Sequence, residues 1–210
     1  MGLSKVFRQL INHFLVKVYK RNILKFGFTP LGVFWNSKES QYSRFRFLIN
    51  LIENQLDKNQ CSIADIGCGY GELLIFLKTR SVLYNYHGYD INPEIISYSN
   101  KRFPGKLFYV SEFPIKKCDF CVISGTYNYA VIDNIKLWER YIIQNLTECF
   151  KMCQIGIAIN FQISNSKKIR NKIFYTDVTS MKNQLDKSFK NVKYFFDKNT
   201  PNDIYFLILK

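Results

Sequence analysis

At 210 residues the chain is sized for one domain with a single substantial core, and its 47% hydrophobic and 17% aromatic content excludes a disordered polymer. No apolar run reaches the roughly 20 residues of a membrane-spanning helix, and residues 1–27 lack the clean apolar stretch and small-residue cleavage site of a signal peptide. The formal net charge of +14 suits an anionic partner, but the lysines travel with many Asn, Ile, Phe and Tyr, all encoded by A/T-rich codons, so nucleic acid is not the expected partner.

Residues 3–25 carry Val6, Leu10, Ile11, Phe14, Leu15, Val18 and Tyr19 on one stripe, with Lys5, Arg8, Lys17, Lys20 and Arg21 elsewhere. That pattern predicts a basic amphipathic helix. It can wall a cleft as a lid or make peripheral contact with an anionic membrane. Positions 27–36 read as loop around Pro30 and Gly32. Ser37 or Ser40 is placed to cap a second helix running to about Leu56, with Phe45, Leu48, Ile49 and Ile52 inward.

The next stretch, Ser62-Ile-Ala-Asp-Ile-Gly-Cys-Gly-Tyr-Gly-Glu-Leu-Leu74, organises the rest. A short apolar run, as in a buried parallel strand, leads into Gly67, Gly69 and Gly71. Apolar residues at helical spacing follow. Strand, glycine turn and helix begin a βαβ unit whose ligand lies across the helix N-terminus. A dinucleotide fingerprint would place its third glycine at 72, where Glu72 stands. No Gly-Lys-Ser/Thr follows, so the loop does not grip phosphate. Asp65, two residues before the first glycine, repels phosphate and welcomes an amine or a sulfonium.

The run Asp65-x-Gly67-Cys68-Gly69-x-Gly71 resembles motif I of the class I S-adenosylmethionine-dependent methyltransferases, and the resemblance covers about residues 30–210. It implies that this loop wraps the amino-acid half of the cofactor. Upstream, Gly32-Val-Phe-Trp-Asn-Ser-x-x-Ser-Gln-x-x-Arg-Phe45 resembles a segment of small bacterial methyltransferases associated with cell-surface sugar modification. This implies that Trp35, Asn36, Gln41 and Arg44 close over the cofactor, with Arg44 paired to its carboxylate.

Downstream, Tyr84–Tyr89 reads as a second strand ending at Asp90, which lies 21 residues past Gly69. A nucleotide fold places there the carboxylate that accepts both ribose hydroxyls. Ile91 is expected against the adenine. A helix from Pro93 to Phe103 and a third strand over residues 106–110 follow. Ser111-Glu112-Phe113 then falls where related methyltransferases contact the adenine amino group, although those often have Asp where this chain has Glu112. Phe120–Ser124 is a fourth strand, and Ser124-Gly125-Thr126-Tyr127-Asn128-Tyr129 leaves its carboxyl end, the position that faces the methyl group in this fold. Electron-rich rings there suit a sulfonium.

Asp133–Cys149 reads as a helix and Ile155–Phe161 as a fifth strand. Residues 160–179 read as a long irregular loop of the kind that holds a second substrate, with Lys167, Lys168 and Arg170 available to a phosphate group. A helix over 178–185 and strands over 189–196 and 204–209 close the chain as an antiparallel pair.

Six cysteines (Cys61, Cys68, Cys118, Cys121, Cys149, Cys153) without a secretion signal read as reduced thiols of a cytoplasmic protein. Cys118 and Cys121 have CxxC spacing, but no second Cys/His pair is placed to complete a zinc site; packed core thiols and no metal are expected.

The predicted architecture is α/β: a doubly wound, seven-stranded, mostly parallel sheet with an antiparallel C-terminal hairpin. An N-terminal helical cap (1–57) covers a Rossmann-like core (58–210) within one structural domain, as a monomer or homodimer. Methyl transfer from a sulfonium rests mainly on alignment. Tyr127, Asn128 and Asp133 are the candidates for acceptor chemistry, with Tyr127 or Asp133 accepting a proton. The resemblance implies an acceptor that is a small molecule, a sugar or nucleotide-linked sugar. An RNA methyltransferase and a non-catalytic basic binding protein remain alternatives.

Overall fold

The computed structural model describes residues 3–105 and 107–210, so Lys106, the expected start of the third strand, lies outside it. The apolar runs become five parallel strands: β1 (Gln60–Ile66), β2 (Leu83–Asp90), β3 (Phe108–Val110), β4 (Cys118–Ile123) and β5 (Cys153–Ile163), in spatial order β3-β2-β1-β4-β5. The order reverses between β1 and β4. In an open α/β sheet that reversal opens a crevice at the strands' carboxyl ends.

Two further strands, β6 (Lys168–Arg170) and β7 (Ile173–Thr176), form a hairpin where the sequence suggested an irregular loop. Its two-residue turn puts Asn171 and Lys172 at φ 52° and 63°, the left-handed pair that matches strand twist in a tight hairpin. β7 joins β5 in parallel at Gln162 and Ile163. Strands of three and four residues carry too little alternation to be read from sequence. At the chain's end, β9 (Asp203–Leu209) runs antiparallel to β5, and β8 (Asn191–Phe195) runs antiparallel to β9. The expected seven strands are present, and the β6–β7 pair is an addition to them.

Alternation along the strands divides the core in two. Ala64, Ile66, Cys121, Ile123, Ile157 and Ile159 face helices α1 (Lys5–Phe26), α5 (Ile135–Met152) and α6 (Val178–Asp186). Ile63, Phe120, Val122, Ala158 and Leu207 face α2 (Lys38–Glu53), α3 (Glu72–Leu77) and α4 (Pro93–Arg102). Leu48, Ile49 and Ile52 of α2 are fully buried, each stabilising the fold by about 1.5–3 kcal/mol. The N-terminal segment therefore shares both cores with the sheet. Caps set where the helices begin: Ser4, Ser37, Asn92, Asn134 and Asp177 each accept from a backbone N–H of the first turn. Among the described residues no helix is long and apolar enough to cross a membrane.

The cysteines come together across two strands. β4 and β5 pair with Cys118 opposite Cys153, which brings the end of α5 beside Cys118 and Cys121. Cys121 Sγ lies 3.9 Å from Cys118 Sγ and 3.3 Å from Cys153 Sγ, and Cys153 faces the Cys149 carbonyl. All six thiols are buried and fill the core as small soft groups do.

Candidate active site

A cleft opens over the carboxyl ends of β1, β2 and β4, with about 1250 Å³ of space counting its mouth. Its floor is the loop leaving β1. Gly67, Gly69 and Gly71 all have positive φ, but for different reasons. A Cβ on Gly67 would meet the Thr126 side chain at 2.6 Å, whereas on Gly69 it would find nothing nearer than 3.9 Å. Gly67 is thus demanded by packing, while Gly69 keeps the backbone bare toward open space. Gly71 does not line the cleft and ends the loop as the cap of α3. Glu72, where a dinucleotide fold would have glycine, is buried; it accepts from the Tyr42 hydroxyl and pairs with Arg102, tying α2 and α4 around the loop.

Two carboxyls line the cleft beside this loop, Asp65 buried and Asp90 half-buried. Asp90 accepts from the backbone N–H of Gly69 at 3.2 Å and of Asn92 at 2.9 Å. Asn92, rather than Asp90, caps α4, which leaves Asp90 aimed at the cleft. Burial raises Asp90 to about 6, against the opposing pull of those N–H groups.

Asp65 accepts from the Tyr86 hydroxyl at 2.8 Å. Burial raises it from 3.8 to about 7, the Tyr86 hydroxyl opposes this, and the charge of Asp90 adds to it. With a raised folded value, the native state holds a proton that the unfolded chain has lost. Stability therefore falls as pH climbs from 3.8 to about 7. Asp65→Asn, uncharged at every pH, is expected to stabilise the ligand-free protein at neutral pH by about 2 kcal/mol. Thermal melting across the acid-to-neutral range checks this: the variant should melt higher and show a flatter pH profile. An unchanged or lower midpoint at neutral pH would sink the prediction.

The other expected residues divide. Gln41, Cys68, Ile91, Glu112, Ser124, Gly125, Tyr127 and Asn128 all line the cleft. Glu112 is engaged from above: Arg8 Nε of α1 lies 3.1 Å from its Oε2, at an angle that leaves both atoms without a hydrogen bond. Burial raises the Glu112 carboxyl, and Arg8 opposes this. Phe113 does not line the cleft; its ring lies under the Arg8 guanidinium, 5.6 Å away. Asp133 is also outside: it is exposed and pairs through both oxygens with Lys172 at 2.8 Å, pinning the β6–β7 turn, so it faces no acceptor. Arg44 is turned away as well. It forms a two-pronged pair with Asp203 of β9 and stacks 5.1 Å from the Trp35 ring. Asn160 donates to the same Asp203 at 3.1 Å and accepts from Gly125 N–H at 2.9 Å. The arginine read as a ligand clamp is a half-buried strut that ties α2 to β9.

Sequence reasoning missed part of the wall. Tyr19 and Phe34 join the expected Tyr129 in an aromatic group, with Phe34 and Tyr129 stacked at 4.6 Å and Tyr19 edge-on to Phe34 at 5.1 Å. Gln162 and Ile173 complete that side, and Tyr141 and Asn145 the other. The buried Ser124 Oγ, Tyr127 Oη and Asn145 Oδ1 have no partner within the described protein, so each can meet a bound molecule. Burial raises the Tyr127 hydroxyl well above its ordinary value, which makes it a donor at neutral pH. Despite the net charge of +14, no Lys, Arg or His is among the described lining residues. The charged ones are Asp65, Asp90 and Glu112.

No family model matches the chain. "Putative methyltransferase Rv1506c" of Mycobacterium tuberculosis is 30% identical over 121 residues, which are 55% of this chain and 73% of that protein. Among solved structures, a SAM-dependent methyltransferase of Leishmania major superposes with a TM-score of 0.67 at 14% identity, covering 91% of this chain and 82% of its own. The magnesium protoporphyrin IX methyltransferase of Synechocystis PCC 6803 with bound SAH superposes with a TM-score of 0.56 at 10% identity, over 81% and 83% of the two chains.

Proposed function

The chain belongs to the S-adenosylmethionine-dependent methyltransferases, and from that premise we propose that it methylates an oxygen or nitrogen of a small acceptor whose reacting part is uncharged, a sugar or nucleotide-linked sugar. The observation that carries this reading is the cleft's lack of cations in so basic a protein. A phosphate at the reacting end would sit near carboxyls with no counter-charge. Amides, a hydroxyl and aromatic faces, here Asn128, Gln162, Ser124, Phe34 and Tyr129, suit a polyhydroxylated ring. The phosphates of a nucleotide carrier would rest outside, against exposed Lys168 and Arg170 of β6.

The cofactor is S-adenosylmethionine, and the residues present fit it. The bare backbone at Gly69 leaves room for its amino-acid end, with buried Asp65 below as counter-charge to the amine. Asp90, with a second lone pair left on each oxygen, suits the ribose hydroxyls, and Ile91 with Glu112 the adenine. The cofactor supplies a methyl group on a good leaving group. The chain's task is alignment, worth roughly 7–11 kcal/mol in favourable cases. Asn128 orients the acceptor through its amide, and the aromatic group keeps water from the reacting face. Tyr127, whose hydroxyl burial keeps protonated, can donate a hydrogen bond to the acceptor but not take its proton, as the sequence suggested it would.

Incubation with methyl-labelled cofactor tests the reading. Label is expected in sugar or nucleotide-sugar acceptors and not in RNA. Asn128→Ala should lower turnover about tenfold, the worth of one hydrogen bond, without changing SAH affinity. Label entering RNA, or an Asn128→Ala enzyme of full activity, would overturn it.

A further inference from the structure

Helix α1 presents a second face that the core does not use. It carries six Lys or Arg residues and no acidic residue over 22 positions. Ile11, Leu15 and Ile23 turn inward. On the opposite side Val6, Leu10 and Phe14, spaced four apart, are 75%, 47% and 45% exposed, and Leu24 is 77% exposed. Lys17 and Arg21 continue the same row between Phe14 and Leu24 at helical spacing. Arg8 and Lys20 are taken by Glu112 and Glu94, but among the described residues no carboxylate pairs with Lys5, Lys17, Arg21 or Lys25.

Apolar side chains held in water cost free energy and neighbouring cations repel one another, and an anionic bilayer interface relieves both: the apolar groups enter the acyl boundary and the cations meet the headgroups. We propose that the outer face of α1 docks this protein on an anionic phospholipid surface. RNA would neutralise the cations but leave Val6, Leu10 and Leu24 in water. A second copy of the chain would set one all-cationic helix against another. Neither answers the combination of aliphatic row and unpaired charge as lipid does. The same helix lends Leu15, Val16 and Tyr19 to the cleft wall, so docking brings the cleft beside the lipid. The inference does not depend on the acceptor's identity.

Sedimentation of the full chain with vesicles tests it. Binding is expected to phosphatidylglycerol-containing vesicles, weakening with salt, and not to pure phosphatidylcholine. The double variant Lys17→Gln/Arg21→Gln should bind about 25-fold more weakly, from the loss of two surface cations. Leu10→Ser/Phe14→Ser should bind about tenfold more weakly or worse. Both should keep the wild-type melting midpoint and SAH affinity, because none of the four residues lines the cleft. Failure of the wild-type chain to bind anionic vesicles overturns the proposal, and so does binding that ignores both variants. RNA binding retained in full by Leu10→Ser/Phe14→Ser, with no vesicle binding, would reassign the face to nucleic acid. A dimer in gel filtration that Leu10→Ser/Phe14→Ser dissolves would reassign it to self-association.

Discussion

Asp90→Ala is expected to weaken S-adenosylmethionine binding about 100-fold or more. A half-buried carboxylate that accepts from two ribose hydroxyls makes two charge-assisted hydrogen bonds, each worth roughly 1.5–3 kcal/mol, and about 3 kcal/mol is already two orders of magnitude in affinity. The substitution also removes the acceptor that Gly69 and Asn92 N–H share, loosening the loop that a ligand would meet. Calorimetry with SAH on wild type and Asp90→Ala is the measurement. Because burial raises Asp90 to about 6 and the ionised form is the double acceptor, wild-type affinity should rise as pH passes through that value, and the variant should lose this dependence. Equal affinities would remove Asp90 from the binding machinery.

Arg44→Ala should cost about 3–5 kcal/mol of stability, through the charge it abandons. Asp203 is fully buried, and its other polar neighbour, Asn160, is neutral. Burial already raises its carboxyl against the pull of Arg44. Without the guanidinium it is left as a buried, uncompensated carboxylate, or takes up a proton at a cost that grows with pH. The loss should therefore be larger at pH 8 than in mild acid, and Asp203→Asn combined with Arg44→Ala should recover much of it. Denaturant unfolding at two pH values decides between this and a ligand role: a ligand-binding Arg44 would change SAH affinity and leave the unfolding midpoint of the ligand-free protein alone.

What the sequence revealed and what it hid follow one division. The strand–glycine–helix unit at 62–74 was legible because its signals are local: an apolar run, glycines at alternate positions, then helical periodicity. The place of Asp90 beside Gly69 was legible because one crossover of the fold fixes the distance between them. Arg44 was misread for the opposite reason. Its partner lies 159 residues away on β9, and a solvent-poor arginine beside a cleft has the same local signature whether it grips a ligand or a strand. Phe113 and Asp133 failed similarly, each taken by a cation, Arg8 and Lys172, that only the tertiary arrangement brings near. The aromatic trio draws Tyr19 from a helix, Phe34 from a loop and Tyr129 from beyond β4, so no window of sequence contains it.

The β6–β7 hairpin has a consequence for how this enzyme can diverge. It meets β5 at two positions, is rooted by the buried Phe174, and contributes Ile173 to the cleft. Its exposed outer residues Lys168 and Arg170 can therefore drift without disturbing the seven strands behind them, while the turn stays held by Lys172 on Asp133. A lineage could retune which molecule it modifies by exchanging this short module, while the donor-binding half stays untouched.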